Sequence, residues 1–319
     1  MKRSFKYKKI DLGSLDVKIP ILEFGESNDN NSLAITCCVH GNETTSLFVI
    51  EKLVNALRDI NMKGKIKIIT VSNPIASFFN NRTSPKDMKD MNRSAPGDEN
   101  GSTTDVICRE IIKEILECNY YIDLHEWEIP ALLQCILIDN DDESVKEKSN
   151  EIMKIFNPDI VVKLNKIYRS SLYGYINIEK RMPGIAIELP NMSCTNDAME
   201  DRIVDSLMRV LNYLNIIQEN KKYSLKPCDK KEPFNIREVE RYVSKKQGLF
   251  FPLNELGATV FENEKIGCLV DLDMEGREVL SNNFKKGLIM HLSTKKFVNP
   301  GDLIYTIAED KQDEEIIEK

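Results

Sequence analysis

His40 and Glu43 are the first residues of the chain whose types and spacing suggest chemistry. They follow a short apolar run at 33–39 and precede a segment whose apolar residues recur at helical spacing. This pattern predicts a buried strand, a tight turn and a helix, with both side chains at the carboxyl end of the strand. Open α/β sheets bind ligands at that edge, and zinc accepts both imidazole and carboxylate. Either residue also has a simpler explanation, because histidines are common in loops and a glutamate can stabilise a helix N-terminus.

Two further predicted strands end in side chains that suit the same metal. The apolar segment 120–125 ends in His125, and the segment 184–190 carries Glu188 near its end. Two histidines and a glutamate that leave one position for water form a catalytic zinc site, and bound zinc brings the pKa of that water toward neutrality. The chain has three histidines in all, so the members of a histidine-ligated site are nearly forced. Glu188 would then take the proton and pass it to a leaving amine.

Other polar residues are candidates for roles beside such a metal centre. Arg82 or Arg93 would stabilise the oxyanion that develops on an attacked carbonyl. Asp123 lies two residues before His125 and would orient its ring. Both arginines belong to a long irregular connection at 73–101, and segments of that kind inside a compact domain are usually functional or disordered.

Each candidate also has a structural alternative. His125 would simply cap a strand, Glu188 would pair with a nearby cation such as Arg181, and Asn92-Arg93 would lie in a solvated loop. Taken singly, these alternatives are the better explanations. Their joint occurrence at three strand ends favours the catalytic site.

Composition excludes several classes of protein. The chain has 319 residues, of which 41% are hydrophobic and 30% charged, as in a globular protein. A net charge of −7 gives no electrostatic footprint for nucleic acid. We find no signal peptide and no apolar run of membrane-spanning length, so the expectation is a cytoplasmic protein without a membrane partner. The eight cysteines show no C-x-x-C pair, and we expect free thiols.

The positions of the apolar segments predict an α/β fold. Strands alternate with helices, which indicates a mixed, mostly parallel sheet with helices on both faces. The segment 19–24 contains Pro20 and is expected at a sheet edge. The other predicted strands are 33–39, 65–72, 120–125, 132–138, 160–164 and 184–190, and the later predicted helices are 104–118, 144–156 and 197–218.

The last third of the chain has a different sequence pattern. After a lysine-rich linker, glycines punctuate short apolar stretches at hairpin intervals, which predicts a small all-β domain. We therefore divide the chain into a catalytic domain at 1–225, a β-rich domain at 236–309 and a charged flexible tail at 310–319. His291 is expected to pack within the β-rich domain.

The motifs together carry a resemblance to a known family. The sequence is similar to the succinylglutamate desuccinylase/aspartoacylase branch of the zinc carboxypeptidase superfamily over nearly its whole length. The motifs that carry this resemblance are HGNE at 40–43, NP at 73–74 with Arg82, DMNR at 90–93 with PG at 96–97, DLH at 123–125 and GIAIELP at 184–190, together with the glycine-punctuated C-terminal stretch.

The resemblance implies a site, a metal and a fold. It implies His40, Glu43 and His125 as ligands of one zinc ion per chain, and a zinc-carboxypeptidase-like catalytic domain. The implied roles of the remaining residues are Glu188 as general base and proton shuttle, Arg82 as carbonyl polariser, and Asn92 and Arg93 as binders of a substrate carboxylate. A guanidinium fork suits that last task.

The sequence departs from the family pattern at two places. Ala95 replaces the usual bulky aromatic before the PG, and the stretch from Arg82 to Asp90 is long. Both departures leave the substrate open. The candidates for substrate selectivity are Tyr168, Arg169, Tyr173 and Arg181.

The leading hypothesis is a zinc-dependent amidohydrolase that cleaves the amide of a small N-acyl amino acid or related compound. The alternatives are a metallocarboxypeptidase acting on peptides and a non-catalytic zinc-bearing binding protein. The C-terminal domain is a candidate blocker of long substrates, and it only weakly resembles lipoyl or biotin carriers because no exposed lysine hairpin is evident. A homo-oligomer is possible.

Overall fold

The computed structural model describes residues 3–13, 16–26, 31–164, 169–191, 197–223 and 232–310. The strands in these ranges are β1 (Arg3–Asp11), β2 (Asp16–Gly25), β3 (Ser32–Thr36), β4 (Lys65–Ile69), β5 (Tyr120–Glu126), β6 (Gln134–Ile138), β7 (Ile160–Leu164), β8 (Gly184–Leu189), β9 (Phe234–Val243), β10 (Gly248–Pro252), β11 (Thr259–Phe261), β12 (Lys265–Val270), β13 (Arg277–Ser281), β14 (Lys286–Leu292), β15 (Phe297–Val298) and β16 (Leu303–Asp310). The helices are α1 (Thr45–Ala56), α2 (Pro74–Phe78), α3 (Thr103–Ile115), α4 (Glu143–Phe156), α5 (Leu172–Gly174) and α6 (Asp197–Tyr213).

One large sheet organises the molecule. Its strand order is β1-β2-β4-β3-β5-β8-β6-β7-β9-β16-β14-β11. The pairs β3–β4, β3–β5 and β5–β8 at its centre are parallel, whereas β8–β6 is antiparallel. All five residues of β3 are buried, as expected for a strand covered on both faces. The mixed α/β fold predicted from the sequence is confirmed.

Two apolar cores lie on opposite faces of this sheet. Side chains of α1, α4 and α6, such as Leu53, Phe156 and Leu207, pack together on one face. Side chains of α3 and α5, such as Ile111 and Leu172, pack on the other. Cutting one of these fully buried leucines back to alanine would cost roughly 2–5 kcal/mol of stability. The two cores hold the strand ends of the central sheet in fixed positions.

Helix α4 shows how local sequence sets the limits of an element. The side chain of Asp142 accepts a hydrogen bond from the backbone N–H of Ser144 at 3.1 Å and so caps the first turn. Asn157 ends the helix in the left-handed region with φ of 62°, a conformation that asparagine tolerates. The predicted limits, 144–156, therefore agree closely with the observed helix.

The C-terminal strands continue the large sheet and add a second one. Strand β9 pairs in parallel with β7 and antiparallel with β16. A separate sheet of four strands has the order β13-β12-β10-β15, and an apolar core that includes Phe250 and Tyr305 lies in this region. The expected β-rich character is confirmed. The division at 225 and 236 stays a prediction, and residues 311–319 of the expected tail lie outside the described ranges.

Two expectations about local structure were wrong. Strand β2 is internal, because it pairs with both β1 and β4. Pro20 is tolerated there since pairing with β4 begins one residue later, at Ile21. Helix α6 ends at Tyr213 and not at 218, because Asn215 adopts a left-handed φ of 54° and Ile217 forms a β-bridge with Met62.

None of the helices in the described ranges combines the length and apolar character needed to cross a membrane. The cysteines within these ranges are free thiols. Cys37 and Cys38 follow β3 and are buried, and burial raises the pKa of Cys38 to about 12. These thiols therefore act as small packing groups.

Candidate active site

The site lies where three neighbouring parallel strands end. His40 and Glu43 occupy the turn between β3 and α1, and His125 on β5 is aligned in register with Glu188 on β8. Gly41 is required in that turn, because a Cβ atom there would lie 2.1 Å from the backbone carbon of Ala76 in α2. The close approach of α2 fixes the turn on the sheet edge.

His40, Glu43 and His125 converge on one point. The Nδ1 atom of His40 lies 2.6 Å from one carboxylate oxygen of Glu43, and the Nδ1 atom of His125 lies 2.9 Å from the other. The potential ligand atoms of the three residues all lie within 4.8 Å of one another, and all three side chains are buried. Two imidazoles and a carboxylate grouped in this way match the donor set of a catalytic zinc site.

The Nε2 atom of each imidazole lies close to a carboxylate. The Nε2 atom of His40 lies 3.0 Å from Asp90, and the Nε2 atom of His125 lies 3.1 Å from Asp123. Asp123 is itself held by a hydrogen bond of 2.6 Å from the hydroxyl of Thr36. A carboxylate on one ring nitrogen favours a proton there and leaves the other nitrogen, here Nδ1, as a metal ligand.

The pKa shifts separate the carboxylates into two kinds. Although burial opposes it, His125 and His40 lower the pKa of Glu43 to about 2. The pKa of Asp90 is also lowered, since His40 and Arg82 outweigh the effect of its burial. By contrast, burial raises the pKa of Glu188 to about 7, with a further contribution from the charge of Glu43 and against the effect of His125. Glu43 is thus a fixed negative charge, whereas Glu188 exchanges a proton near neutrality.

The carboxylates of Asp123 and Glu43 raise the pKa of His125. Burial lowers the pKa of this imidazole, but the charges of Asp123 and Glu43 outweigh burial and raise it well above its usual value. The pocket therefore stabilises positive charge at this point. The same two carboxylates would stabilise a bound divalent cation.

Arg82 lies at the rim of the cluster. Its guanidinium is 3.6 Å from Glu43 and 3.1 Å from Asp90, and its Nη1 atom is 3.3 Å from the Nδ1 of His40. The side chain is 43% exposed, so it is accessible to a molecule entering from solvent. The long connection before Asp90 thus does not carry Arg82 away from the site.

Asn92 and Arg93 lie in a 3-10 turn beside the cluster. Asp90 caps this turn by accepting a hydrogen bond of 2.8 Å from the backbone N–H of Asn92. The side-chain oxygen of Asn92 accepts a hydrogen bond of 2.9 Å from the N–H of Leu172. Its amide nitrogen therefore points away from α5 and lies 3.4 Å from the Nε2 of His125.

Two connected spaces open from the cluster. An outer cavity of about 380 Å³ is bordered by His40, Glu43 and Arg82, and a deep cavity of about 450 Å³ is bordered by Asp123 and His125. Residues common to both are Asn92, Arg93, Trp127 and Glu188. All seven residues predicted from the sequence therefore border these cavities.

The C-terminal strands supply much of the walls, although the sequence did not indicate which of their residues do so. Ile236, Val239 and Arg241 of β9 and Met290 of β14 line the deep cavity, and Lys295, Asp302 and Leu303 line the outer one. Asp90 was also missed as a partner of His40. The available sequence signal for this role was that Asp90 lies two residues before Asn92, as Asp123 lies two residues before His125.

Of the other sequence candidates, Tyr173 borders the site, whereas Arg169 and Arg181 border neither cavity. Tyr173 lines the deep cavity, and its hydroxyl donates a hydrogen bond of 3.0 Å to the carbonyl oxygen of Gly184. Arg169 is 3.7 Å from Glu179, and Arg181 is 3.7 Å from Asp142. Tyr168 lies outside the described residues.

His291 packs as expected within the β-rich region. It is fully buried, its ring lies 4.1 Å from that of Trp127, and its Nε2 lies 2.7 Å from the side-chain nitrogen of Gln134. Burial lowers the pKa of His291 to about 3, so its ring stays neutral. It joins the C-terminal strands to the wall of the deep cavity.

Comparison with known proteins decides the family. Residues 29–217 match the family model of the succinylglutamate desuccinylase/aspartoacylase catalytic domain. The chain belongs to the succinylglutamate desuccinylase/aspartoacylase family. The family expected from the motifs is thereby confirmed, and with it the expected class of enzyme, a hydrolase that removes an acyl group from an amine.

Relatives of this family member extend the similarity over nearly the whole chain. N-alpha-acetyl-L-2,4-diaminobutyric acid deacetylase from Halomonas elongata is 23% identical over 314 residues, which are 93% of this chain and 86% of the relative. A succinylglutamate desuccinylase/aspartoacylase from Rhodobacter sphaeroides has a similar structure with a TM-score of 0.81, 19% identity, and coverage of 97% of this chain and 95% of the other. The product-bound ectoine utilization protein EutE (DoeB) from Ruegeria pomeroyi has a TM-score of 0.80, 20% identity and coverage of 96% and 94%.

Proposed function

We propose that this protein is a zinc-dependent amidohydrolase that removes the acyl group from a small N-acyl amino acid. The observation that carries the proposal is the meeting of His40, Glu43 and His125 at one buried point, with Glu188 on the neighbouring strand. Family membership supports the reaction class, and cavities of about 380 and 450 Å³ support a small substrate.

The three donor residues fit zinc. They supply two nitrogens and one carboxylate, the set that leaves a position for water. Asp90 and Asp123 face the outer nitrogens of the two imidazoles, as metal-bound histidines require. When bound, zinc would polarise the carbonyl of the substrate and bring the pKa of water toward neutrality. We expect one zinc ion per chain.

Glu188 moves the proton of the reaction. Its pKa of about 7 lets its carboxylate accept a proton from water and donate it to the departing nitrogen. In the overall step one C–O bond forms, the amide C–N bond breaks, and the two protons of water end on the products. Arg82 is placed to donate hydrogen bonds to the carbonyl oxygen as negative charge develops there.

Asn92 and Arg93 border both cavities and are suited to hold the carboxylate of the substrate. Arginine binds carboxylates through paired N–H groups, and the hydrogen bond from Leu172 turns the amide nitrogen of Asn92 toward the site. These contacts would orient the amide between Arg82 and Glu188.

A metallocarboxypeptidase is the competing function. C-terminal residues border each cavity, Val239 and Met290 the deep one and Leu303 the outer one, and they leave little room for an extended chain. A volume of about 450 Å³ is suited to one small molecule. The name of the Halomonas relative, an acetyl-amino acid deacetylase, also supports a small substrate. We further propose that the enzyme is cytoplasmic.

A substrate panel with metal analysis tests the proposal. We expect purified protein to contain about one zinc per chain, and chelation to abolish hydrolysis of N-acetyl amino acids until zinc is restored. Short peptides with free carboxyl termini should be cleaved far more slowly. Cleavage of peptides alone would favour the carboxypeptidase, and zinc binding without hydrolysis of either set would favour a non-catalytic binding protein.

A further inference from the structure

The deep cavity is apolar over most of its surface. Asn92 and Arg93 border it, and strands β6, β7, β8, β9 and β14 contribute aliphatic groups. The apolar residues that line it are Ile136, Ile138, Val162, Leu164, Tyr173, Ala186, Ile236, Val239 and Met290.

Strand periodicity explains why these groups face the cavity. Successive side chains of a strand point to opposite faces of the sheet, so Ile136 and Ile138 of β6 line the cavity while Cys135 and Leu137 pack in the core under α1, α4 and α6. Val162 of β7 likewise lines the cavity. The apolar wall is thus built into the sheet, and it does not depend on a loop.

The charged groups of the deep cavity favour an uncharged or negative occupant. Its acidic residues are Asp123, which is engaged with Thr36 and His125, and Glu188, which serves the reaction. Its basic residues are Arg93 and Arg241. Among the residues that border it, none offers an uncommitted carboxylate to a cation.

We propose that the deep cavity receives the side chain of the amino acid and selects apolar side chains against those that carry an ammonium group. This inference rests on the proposed function, in which Asn92 and Arg93 hold the α-carboxylate. The side chain leaves the same Cα atom as that carboxylate, and both residues border the deep cavity. Burying an ammonium group without a counter-charge among aliphatic walls and two guanidinium groups is strongly unfavourable.

Three N-acetyl amino acids with side chains of similar length test the proposal on the zinc-loaded full chain. N-acetyl-L-norvaline and N-acetyl-L-2,4-diaminobutyrate differ by a methyl group in place of an ammonium, and N-acetyl-L-glutamate is the acidic counterpart. We expect kcat/KM for the norvaline compound to exceed that for the diaminobutyrate compound by at least about 100-fold. Equal or greater activity on the diaminobutyrate compound overturns the proposal, and so does a preference for glutamate, which would make Arg241 an anion site.

Binding measurements separate failure of this inference from failure of the proposed function. Calorimetry with the free amino acids L-norvaline and L-2,4-diaminobutyrate reports the side-chain preference without any turnover. Tighter binding of norvaline supports the inference even if no acyl compound is hydrolysed, in which case only the proposed function fails. Tighter or equal binding of diaminobutyrate overturns the inference whether or not the protein is an amidohydrolase.

A designed counter-charge locates the side chain within the cavity. Ile136 is half-buried and faces the cavity, so Ile136→Asp should shift the ratio of the two kcat/KM values toward diaminobutyrate by at least about tenfold. Ile136→Asn, of the same shape without the charge, is the matched control and should not produce that shift. If Ile136→Asp does not fold, Val162→Asp places the charge on the adjacent strand. An unchanged ratio in a folded aspartate variant overturns the proposal.

Discussion

Single residues at the site divide into groups that hold charge and one that moves a proton. Glu43 has a pKa of about 2 and remains ionised at all ordinary pH values. Glu188 has a pKa of about 7 although it is also a glutamate, because the effect of its burial exceeds the opposing effect of His125 and His40, whereas the same two imidazoles outweigh burial at Glu43. Environment, and not residue type, therefore separates the two carboxylates.

Replacing Glu188 with glutamine should lower kcat by roughly 10²–10⁴-fold, the usual contribution of a positioned acid or base. Zinc content should be unchanged, since Glu188 is not one of the three converging ligands. Steady-state kinetics and metal analysis check both points. Glu128→Gln, at the border of the outer cavity, is the control and should keep most of the activity. An active Glu188→Gln protein would remove this residue as the base.

Replacing Asp90 tests whether the carboxylate beside His40 strengthens metal binding. Asp90→Asn should weaken zinc binding by about 10–100-fold, because the carboxylate that faces Nε2 of His40 is lost. Competition with a chromophoric chelator measures this affinity. Glu99→Gln is a control at a nearby carboxylate that is 63% exposed and should leave the affinity unchanged. Equal affinities in both variants would show that Asp90 gives His40 no support.

At the scale of elements, the order of strands brings the catalytic side chains together. His40 follows β3, His125 lies near the end of β5 and Glu188 lies on β8, and these three strands are consecutive in the sheet. Helix α3 is joined to β4, the strand beside β3, by a buried ion-pair cluster. In this cluster Lys67 of β4, with no exposed surface, lies 2.7 Å from Glu114 of α3. The ion pair thus ties a helix of one face to the central strands.

The Lys67–Glu114 pair predicts a dependence of stability on pH. The pKa of Glu114 is lowered to about 2 because Lys67 and Lys8 outweigh the effect of burial. A carboxyl with a lowered pKa in the folded state stabilises the protein above its ordinary pKa of about 4.5, and this contribution is lost as pH falls toward 2. We expect the free energy of unfolding from urea titrations to decrease over this window.

The variant Glu114→Gln should make that dependence shallower and cost about 3–5 kcal/mol of stability near neutral pH, the usual effect of breaking a buried ion pair. Lys8 and Lys6 also contact Glu114 and would lose a partner. Glu117→Gln is the matched control, because Glu117 also contacts Lys67 but is 55% exposed, and its effect should stay below about 1 kcal/mol. Equal losses in both variants would contradict the assignment.

At the scale of the whole molecule, the C-terminal strands complete the substrate site. Strand β9 extends the catalytic sheet through its pairing with β7, and this pairing brings Ile236, Val239 and Arg241 to the deep cavity. The backbone of Leu132 also donates to the carbonyl of Met290 at 3.0 Å. The β-rich region therefore contributes walls to both cavities.

Filling the cavity from this side should affect substrate and not metal. Val239→Trp places a large ring at the border of the deep cavity, from a position that is 39% exposed and so tolerates bulk. We expect kcat/KM to fall by at least about tenfold with unchanged zinc content. Val279→Trp on β13, 46% exposed and not among the residues that border either cavity, should have no effect. An unchanged kcat/KM in Val239→Trp would show that substrate does not reach this wall.

Much of the fold, and the convergence of His40, Glu43 and His125, followed from the sequence. The apolar runs before His40 and His125, and around Glu188, were short and continuous because their strands are buried on both faces. Such runs end where the chain turns, so the residues at their ends could be identified without coordinates. The limits of α4 and β7 were predictable for the same local reason.

Other features were decided by tertiary structure alone. Pro20 predicted an edge strand, because proline has no backbone N–H to donate. Strand β2 nevertheless lies inside the sheet, and its pairing with β4 begins only after the proline. Asp90 meets His40 across 50 positions of sequence, and Arg241 reaches the deep cavity only because β9 pairs with β7. Periodicity and capping act over a few residues, and they determine where elements begin and end. Which elements become neighbours depends on long-range packing and strand pairing, so the walls of the substrate site, unlike its metal ligands, could not be predicted from the sequence.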